Sequence, residues 1–296
     1  MKTVSLVLGS GGARGLAHIG VIHWLEEHHF KIQSISGCSM GALIGGVYAA
    51  GKLDEFENWV SAISKVDMIS LLDLAWSNNG LIKGDKIINS LIDLVGEQLI
   101  EELPISFTAV AADIESEKEV WLQSGQLFDA IRASISLPLF FTPFKVNGVD
   151  LIDGGVLNPV PIAPTFGDHT DLTIAVNLGG PPEIKKTKKT TPAQPAFLSK
   201  ELHDKIRSFI SRFQQAITPN SHDWTAYDVT NQAFEAMQSS IARQKLAAYP
   251  PDITIELARN SCGILEFDRA SEMIKLGYDM SEQRLNHLLN NTQQHD

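Results

Sequence analysis

Hydrophobic and polar positions along the chain switch repeatedly between a short apolar run and a helical period, and that alternation organises the first half. Residues 3–8 (TVSLVL) are β-branched and apolar without interruption, the pattern of a parallel strand buried on both faces. After a glycine-rich stretch, apolar residues recur at helical spacing over 16–25. Residues 32–36 repeat the strand pattern and 42–50 the helical one. The first fifty residues therefore read as β-loop-α-β-turn-α, which predicts a parallel sheet with right-handed crossovers. Amphipathic helices are expected over 54–64 and 83–95, and a buried strand over 106–112, ending at Asp113. After Val120-Trp121-Leu122, a short helix at 126–133, a strand at 149–152 and another at 172–176 follow. The stretch 179–197 (GGPPEIKKTKKTTPAQPAF) has no periodicity and is expected to be a mobile loop. Helical spacing returns over 203–217, 226–248 and 268–289, and the strand expected at 253–257 is assigned to the same sheet. The expectation is one α/β domain over 1–296. It has a core at 1–180, a loop and helical insertion at 181–225, and C-terminal helices with one strand at 226–296.

Composition adds mainly exclusions. Twenty-four Lys and Arg against 35 Asp and Glu give a formal net charge of −11, the wrong sign for a general phosphate-tracking surface, so no nucleic-acid partner is expected. The two cysteines, Cys38 and Cys262, are too few for a disulfide scaffold and stand in no metal-ligand spacing. Nine histidines form no HExxH or Cys/His cluster, so no metal is expected. The N-terminal apolar run breaks at Gly9 and meets Arg14, too short for a secretion signal. No stretch approaches ~18 uninterrupted apolar residues, the length a membrane span needs. The location expected from these features is cytoplasmic, with peripheral membrane contact open.

The chemistry is concentrated at the junctions between strands and helices. Gly37-Cys38-Ser39-Met40-Gly41 fits G-x-S-x-G between a strand and a helix, the context in which a serine stands on a strained turn with its hydroxyl clear of the sheet. Gly37 and Gly41 are needed because side chains there would clash, and the following helix directs its N-terminus at the serine. The loop from Gly9 to Gly15 follows the neighbouring strand, so its free N–H groups can serve as an oxyanion hole. A dinucleotide loop is the rival reading. It fails because Arg14 stands at the third glycine position of G-x-G-x-x-G, and because the second strand ends in Ser36-Gly37-Cys38-Ser39 without an acidic residue for a ribose. As base, Asp153 ends a buried strand before two glycines, with Asp113 and Asp150 as competing carboxylates. A Ser-Asp-His order would draw on His169, His203, His222, His287 or His295, of which His169, beside Asp168, is the least unfavourable.

Taken together, Gly11-Gly12-Ala13-Arg14-Gly15, Gly37-Cys38-Ser39-Met40-Gly41 and Asp153-Gly154-Gly155-Val156-Leu157-Asn158-Pro159 resemble the patatin-like phospholipases, specifically their bacterial members. The segments AADIESEKEVWL and IRASISLPLFFTP are similar to that family's in order and spacing. The resemblance covers residues 3–178 well and the rest weakly. It implies a three-layer α/β/α fold around a mostly parallel sheet and a Ser-Asp dyad without histidine. In that dyad Ser39 is the nucleophile and Asp153 the general base, and the N–H groups of Gly11, Gly12 and either Ala13 or Arg14 form the oxyanion hole. No cofactor is implied. Arg14 either holds the loop by hydrogen bonds, the preferred reading, or attracts an anionic phosphate. Many relatives carry Thr where Cys38 stands, and the side chain before the serine is expected to point away from the site.

The expected substrate is a carboxylic ester of a lipid, with phospholipid, lysophospholipid, thioester and simple acyl ester all compatible. In the insertion, Ile206, Phe209, Ile210, Phe213 and Ile217 share one helical face among Lys205, Arg207 and Arg212, a pattern that fits core packing, a lid or a membrane surface. The alternative of another class is a regulatory or interaction protein on an idle hydrolase fold. Retention of Ser39, Asp153 and the glycine loop together weighs against it.

Overall fold

The computed structural model describes residues 1–63, 82–183 and 226–290. The chain divides into two units, 1–182 with 238–296, and 183–237. Of the second, the described part is residue 183 and the stretch 226–237, the N-terminal part of a helix.

The first unit is built on one sheet whose strands are β1 (Thr3–Leu8), β2 (Lys31–Cys38), β3 (Ser106–Asp113), β4 (Lys118–Leu122), β5 (Phe144–Val146), β6 (Val149–Asp153), β7 (Leu172–Gly180) and β8 (Ile253–Ala258). Their order is β5-β6-β3-β2-β1-β7-β8, with β4 also paired to β3. The five strands from β3 to β8 in that order are mutually parallel, as the strand-helix alternation predicts. The far edge is antiparallel. There β4 takes one side of β3, while β2 and then β6 share the other, since Val110 pairs with Cys38 and the next residue, Ala111, pairs with Asp153. That handover between β2 and β6 creates the site described below. The hairpin partner β5 is too short, at three residues, to carry a readable period.

The helices among the described residues are α1 (Ala17–Glu27), α2 (Met40–Ala49), α3 (Leu53–Ala62), α4 (Asp85–Val95), α5 (Leu127–Ser134), α6 (Ala226–Ala248) and α7 (Ala270–Asn290). Strand alternation decides which layer each side chain joins. Leu6 and Leu8 of β1 are buried with Ile19, Ile22 and Trp24 of α1 and Ile44 of α2. Val7 points the other way and is buried with Val160, Ile162, Ala175 and Ala242 of α6. Helices thus flank a mostly parallel sheet on both faces, an α/β fold. Two of the expected boundaries move. Residues 12–16 form a 3-10 turn ahead of α1, and β7 runs on to Gly180, into the stretch expected to be loop. Residues 184–225, which hold most of that loop and the 203–217 segment, lie outside the described residues.

Candidate active site

Ser39 stands between the end of β2 and the first residue of α2 with φ 56° and ψ −123°, a backbone conformation that a non-glycine residue rarely adopts. The turn tolerates no side chain on either flank. A Cβ at Gly37 would lie 2.3 Å from the Gly41 carbonyl oxygen, and one at Gly41 would lie 1.9 Å from the Leu8 carbonyl oxygen. The Ser39 N–H donates to Ser134 Oγ at 2.9 Å, and that hydroxyl donates in turn to the Val110 carbonyl at 2.6 Å. The elbow is therefore tied to β3 through α5. Ser39 is 7% exposed at the N-terminus of α2, whose dipole favours negative charge there.

Asp153 closes β6. Its N–H donates to the Ser136 carbonyl at 3.0 Å, its Oδ1 accepts the Gly155 N–H at 2.8 Å, and its Oδ2 is buried without a hydrogen-bond partner. The register of β3 brings the two residues together: Cys38, one before Ser39, is opposite Val110, and Asp153 is opposite the next residue along. Burial removes the carboxylate from water and pushes its pKa up to about 6, with the Ser39 hydroxyl, the Gly155 N–H and the Cys38 thiol pulling the other way. The Ser39 hydroxyl is close enough to the carboxylate to lower its pKa, yet Oδ2 has no hydrogen-bond partner in the resting site. Such looseness is common before substrate binds.

The glycine loop lies beside the elbow because β1 pairs with β2, Leu8 opposite Gly37. The Gly9 N–H bonds the Val176 carbonyl at 3.0 Å and the Ser10 N–H bonds the Pro159 carbonyl at 2.8 Å. His18 Nε2 meets the Gly9 carbonyl at 2.8 Å, and burial lowers this imidazole to about 4, so it is neutral. Two of the expected oxyanion donors are already used. The Ala13 N–H donates to the Ile264 carbonyl at 2.8 Å, and Arg14 sits inside the 3-10 turn, where an N–H bonds the carbonyl three residues back. That leaves the N–H groups of Gly11 and Gly12, among the expected donors, without a backbone acceptor among the described residues. The Arg14 side chain is buried and holds main chain, its Nε donating to the Gly11 carbonyl at 3.0 Å and its guanidinium also to the Arg259 carbonyl. This geometry matches the loop-holding reading.

The other candidates have different roles. Asp113 caps its own turn through the Glu115 and Ser116 N–H groups and the Ser116 hydroxyl, and these bonds keep its pKa below the usual carboxylate range. Asp150 is exposed and 3.5 Å from Lys145. His169 is exposed just before β7, beside residues that bond the start of β1, and so lies at the opposite end of the sheet from Ser39. His287 lies on α7, and His203, His222 and His295 are outside the described residues. Cys38 is a correction to the expected orientation. Its thiol points at the Asp153 carboxylate, with Sγ 3.7 Å from Oδ1. Ser134 and His18 carry no signal in the sequence, because each acts on main chain through a tertiary contact. Among the described residues no three His, Cys, Asp or Glu side chains group as metal ligands, and no helix is long and apolar enough to cross a membrane.

The chain belongs to the patatin-like phospholipases, a family of lipid ester hydrolases, whose family model matches residues 6–166. It is 38% identical to an uncharacterized NTE family protein of Mycobacterium tuberculosis, over 95% of this chain and 91% of that protein. It is also 30% identical to the lysophospholipase NTE1 of Saccharomyces cerevisiae, over 60% of this chain but 12% of that much longer protein. Among solved structures, VipD from Legionella pneumophila matches 97% of this chain and 67% of its own with a TM-score of 0.44 and 15% identity.

Proposed function

We propose that the protein hydrolyses a carboxylic ester of a lipid through an acyl-enzyme on Ser39, with Asp153 as the single general base. The observation that carries this reading is the pairing of a strained, sealed serine with a fully buried carboxylate whose Oδ2 has no partner. In the first step Asp153 takes the Ser39 proton as Oγ attacks the ester carbonyl carbon. The carbonyl oxygen becomes an oxyanion facing the Gly11 and Gly12 N–H groups. Collapse expels the alcohol, which leaves with the proton from Asp153. A water then gives its proton to the same carboxylate and attacks the acyl carbon, releasing the fatty acid and restoring the Ser39 hydroxyl. A base with a pKa near 6 is ionised at neutral pH and still basic enough to assist proton transfer.

The named activity of the yeast relative favours a lysophospholipid as the substrate class. A lipid ester also favours peripheral contact with a bilayer, and the sequence of 203–217, which mixes apolar residues with Lys and Arg, suits it. The test is labelling with a fluorophosphonate, alongside hydrolysis of lysophosphatidylcholine and of short acyl esters, in wild type and Ser39→Ala. Wild type is expected to label at Ser39 and to release fatty acid, and Ser39→Ala is expected to do neither, with kcat down by about 10³-fold or more. Labelling that persists in Ser39→Ala overturns the assignment.

A further inference from the structure

We infer that Cys38 is a positioning residue for the base: its thiol and the Gly155 N–H together occupy Oδ1 of Asp153 and leave Oδ2 as the oxygen available to Ser39. This inference rests on the Ser39-Asp153 reading above. A carboxylate can rotate, and either oxygen could otherwise turn to the nucleophile. Two donors on one oxygen remove that freedom, with the Gly155 N–H at 2.8 Å and Cys38 Sγ at 3.7 Å. Both the thiol and the carboxylate have no exposed surface, so water does not substitute for either contact.

The residue type matters as well as the place. A thiol is a weaker donor than a hydroxyl, so it orients the carboxylate while withdrawing less of its basicity than a serine or threonine there would. It also stays protonated, because burial and the facing Asp153 carboxylate push its pKa well above the ordinary thiol value. The charged groups on the surrounding elements are engaged elsewhere. Glu119 of β4, which faces the thiol, is held by Lys245 at 2.5 Å and by Asn158 at 2.9 Å. Arg132 of α5 is turned to the Ser136 hydroxyl and the Lys83 carbonyl. Asp113 at the end of β3 bonds Ser116, and Asp150 of β6 pairs with Lys145 of β5. Substitution at residue 38 therefore changes one contact of the base and leaves these in place.

The experiment is the pH dependence of the second-order rate of fluorophosphonate labelling at Ser39, measured in wild type, Cys38→Ala, Cys38→Val and Cys38→Ser, with thermal midpoints beside it. Loss of a donor to the ionised form raises the pKa of the base. The acid-side inflection is therefore expected to rise by about half to one pH unit in Cys38→Ala and Cys38→Val. In Cys38→Ser, whose hydroxyl is a stronger donor, it is expected at or below the wild-type position. Val keeps the volume filled, so the comparison survives if the Ala variant is too unstable to isolate. A rate that falls with no movement of the inflection is what lost packing alone produces, and it overturns the inference. So does an inflection that moves in Cys38→Ser as it does in Cys38→Ala. Wild-type protein that fails to label overturns the Ser39 reading and this one together, whereas labelling with one inflection common to all variants overturns this one alone.

Discussion

Asp153→Asn is expected to cut kcat/KM for ester hydrolysis by about 10²- to 10⁴-fold, the scale of losing the proposed general base, while making the protein more stable at pH 8. The two effects share one cause. Burial raises the folded-state pKa of Asp153 from 3.8 to about 6, so the folded protein holds this proton more tightly than the unfolded chain does. A group of that kind contributes stability that is fully present below the unfolded value near 4 and lost as pH rises through about 6. Above that point the native state carries a buried charge that costs up to about 3 kcal/mol, since a tenfold difference in proton affinity between the folded and unfolded states corresponds to ~1.4 kcal/mol. Asn carries no charge, so its advantage in denaturation midpoint should be largest at pH 7–8 and shrink toward pH 4. With Asp153 as the proposed base, wild-type kcat/KM should rise with pH through about 6 and then level, because a general base accepts a proton only in its ionised form. An Asn variant whose stability advantage does not change between pH 4 and pH 8 would contradict this account of the site.

Gly41→Ala is expected to be the most disruptive single-methyl change near the site, costing more than about 4 kcal/mol or abolishing folding. The new Cβ would fall 1.9 Å from the Leu8 carbonyl oxygen and 2.5 Å from its carbon. Neither can retreat: Leu8 ends β1, which is hydrogen-bonded to β2 on one side and β7 on the other. Relief would require α2 to lift away from the sheet, taking the elbow out of line with Asp153. Gly51→Ala is the control. That glycine has a left-handed φ of 70°, but nothing lies within 4 Å of its would-be Cβ, so only the backbone cost of about 1 kcal/mol applies. Chemical denaturation of the two variants should separate them by several kcal/mol, and equal losses would show that the elbow is not constrained by contact with β1.

Much of this site was legible as pattern. The β-branched run at 3–8, the glycines around Ser39 and the Asp153-Gly154-Gly155 stretch each encode a local conformation, because strand period, turn geometry and steric room act over a few neighbouring residues. The parallel half of the sheet followed from the alternation of strand and helix. The antiparallel edge did not, since β5 is three residues long and β6 finds its place only by taking over the side of β3 that β2 leaves.

What the chain determined on its own was the inventory of groups: a serine on a turn that excludes side chains, a carboxylate at a strand end, and a loop rich in N–H donors. Tertiary structure decided which of those groups are free to react. The Ala13 N–H is taken up by the carbonyl of Ile264, a residue far along the chain. Arg14 is tied to the Arg259 carbonyl across a similar separation. The Cys38 thiol, expected to face away, meets the Asp153 carboxylate because β6 ends beside β2. A local sequence pattern specifies a backbone shape, but whether a given N–H or oxygen is spoken for depends on acceptors and donors that only the folded chain brings within about 3 to 4 Å.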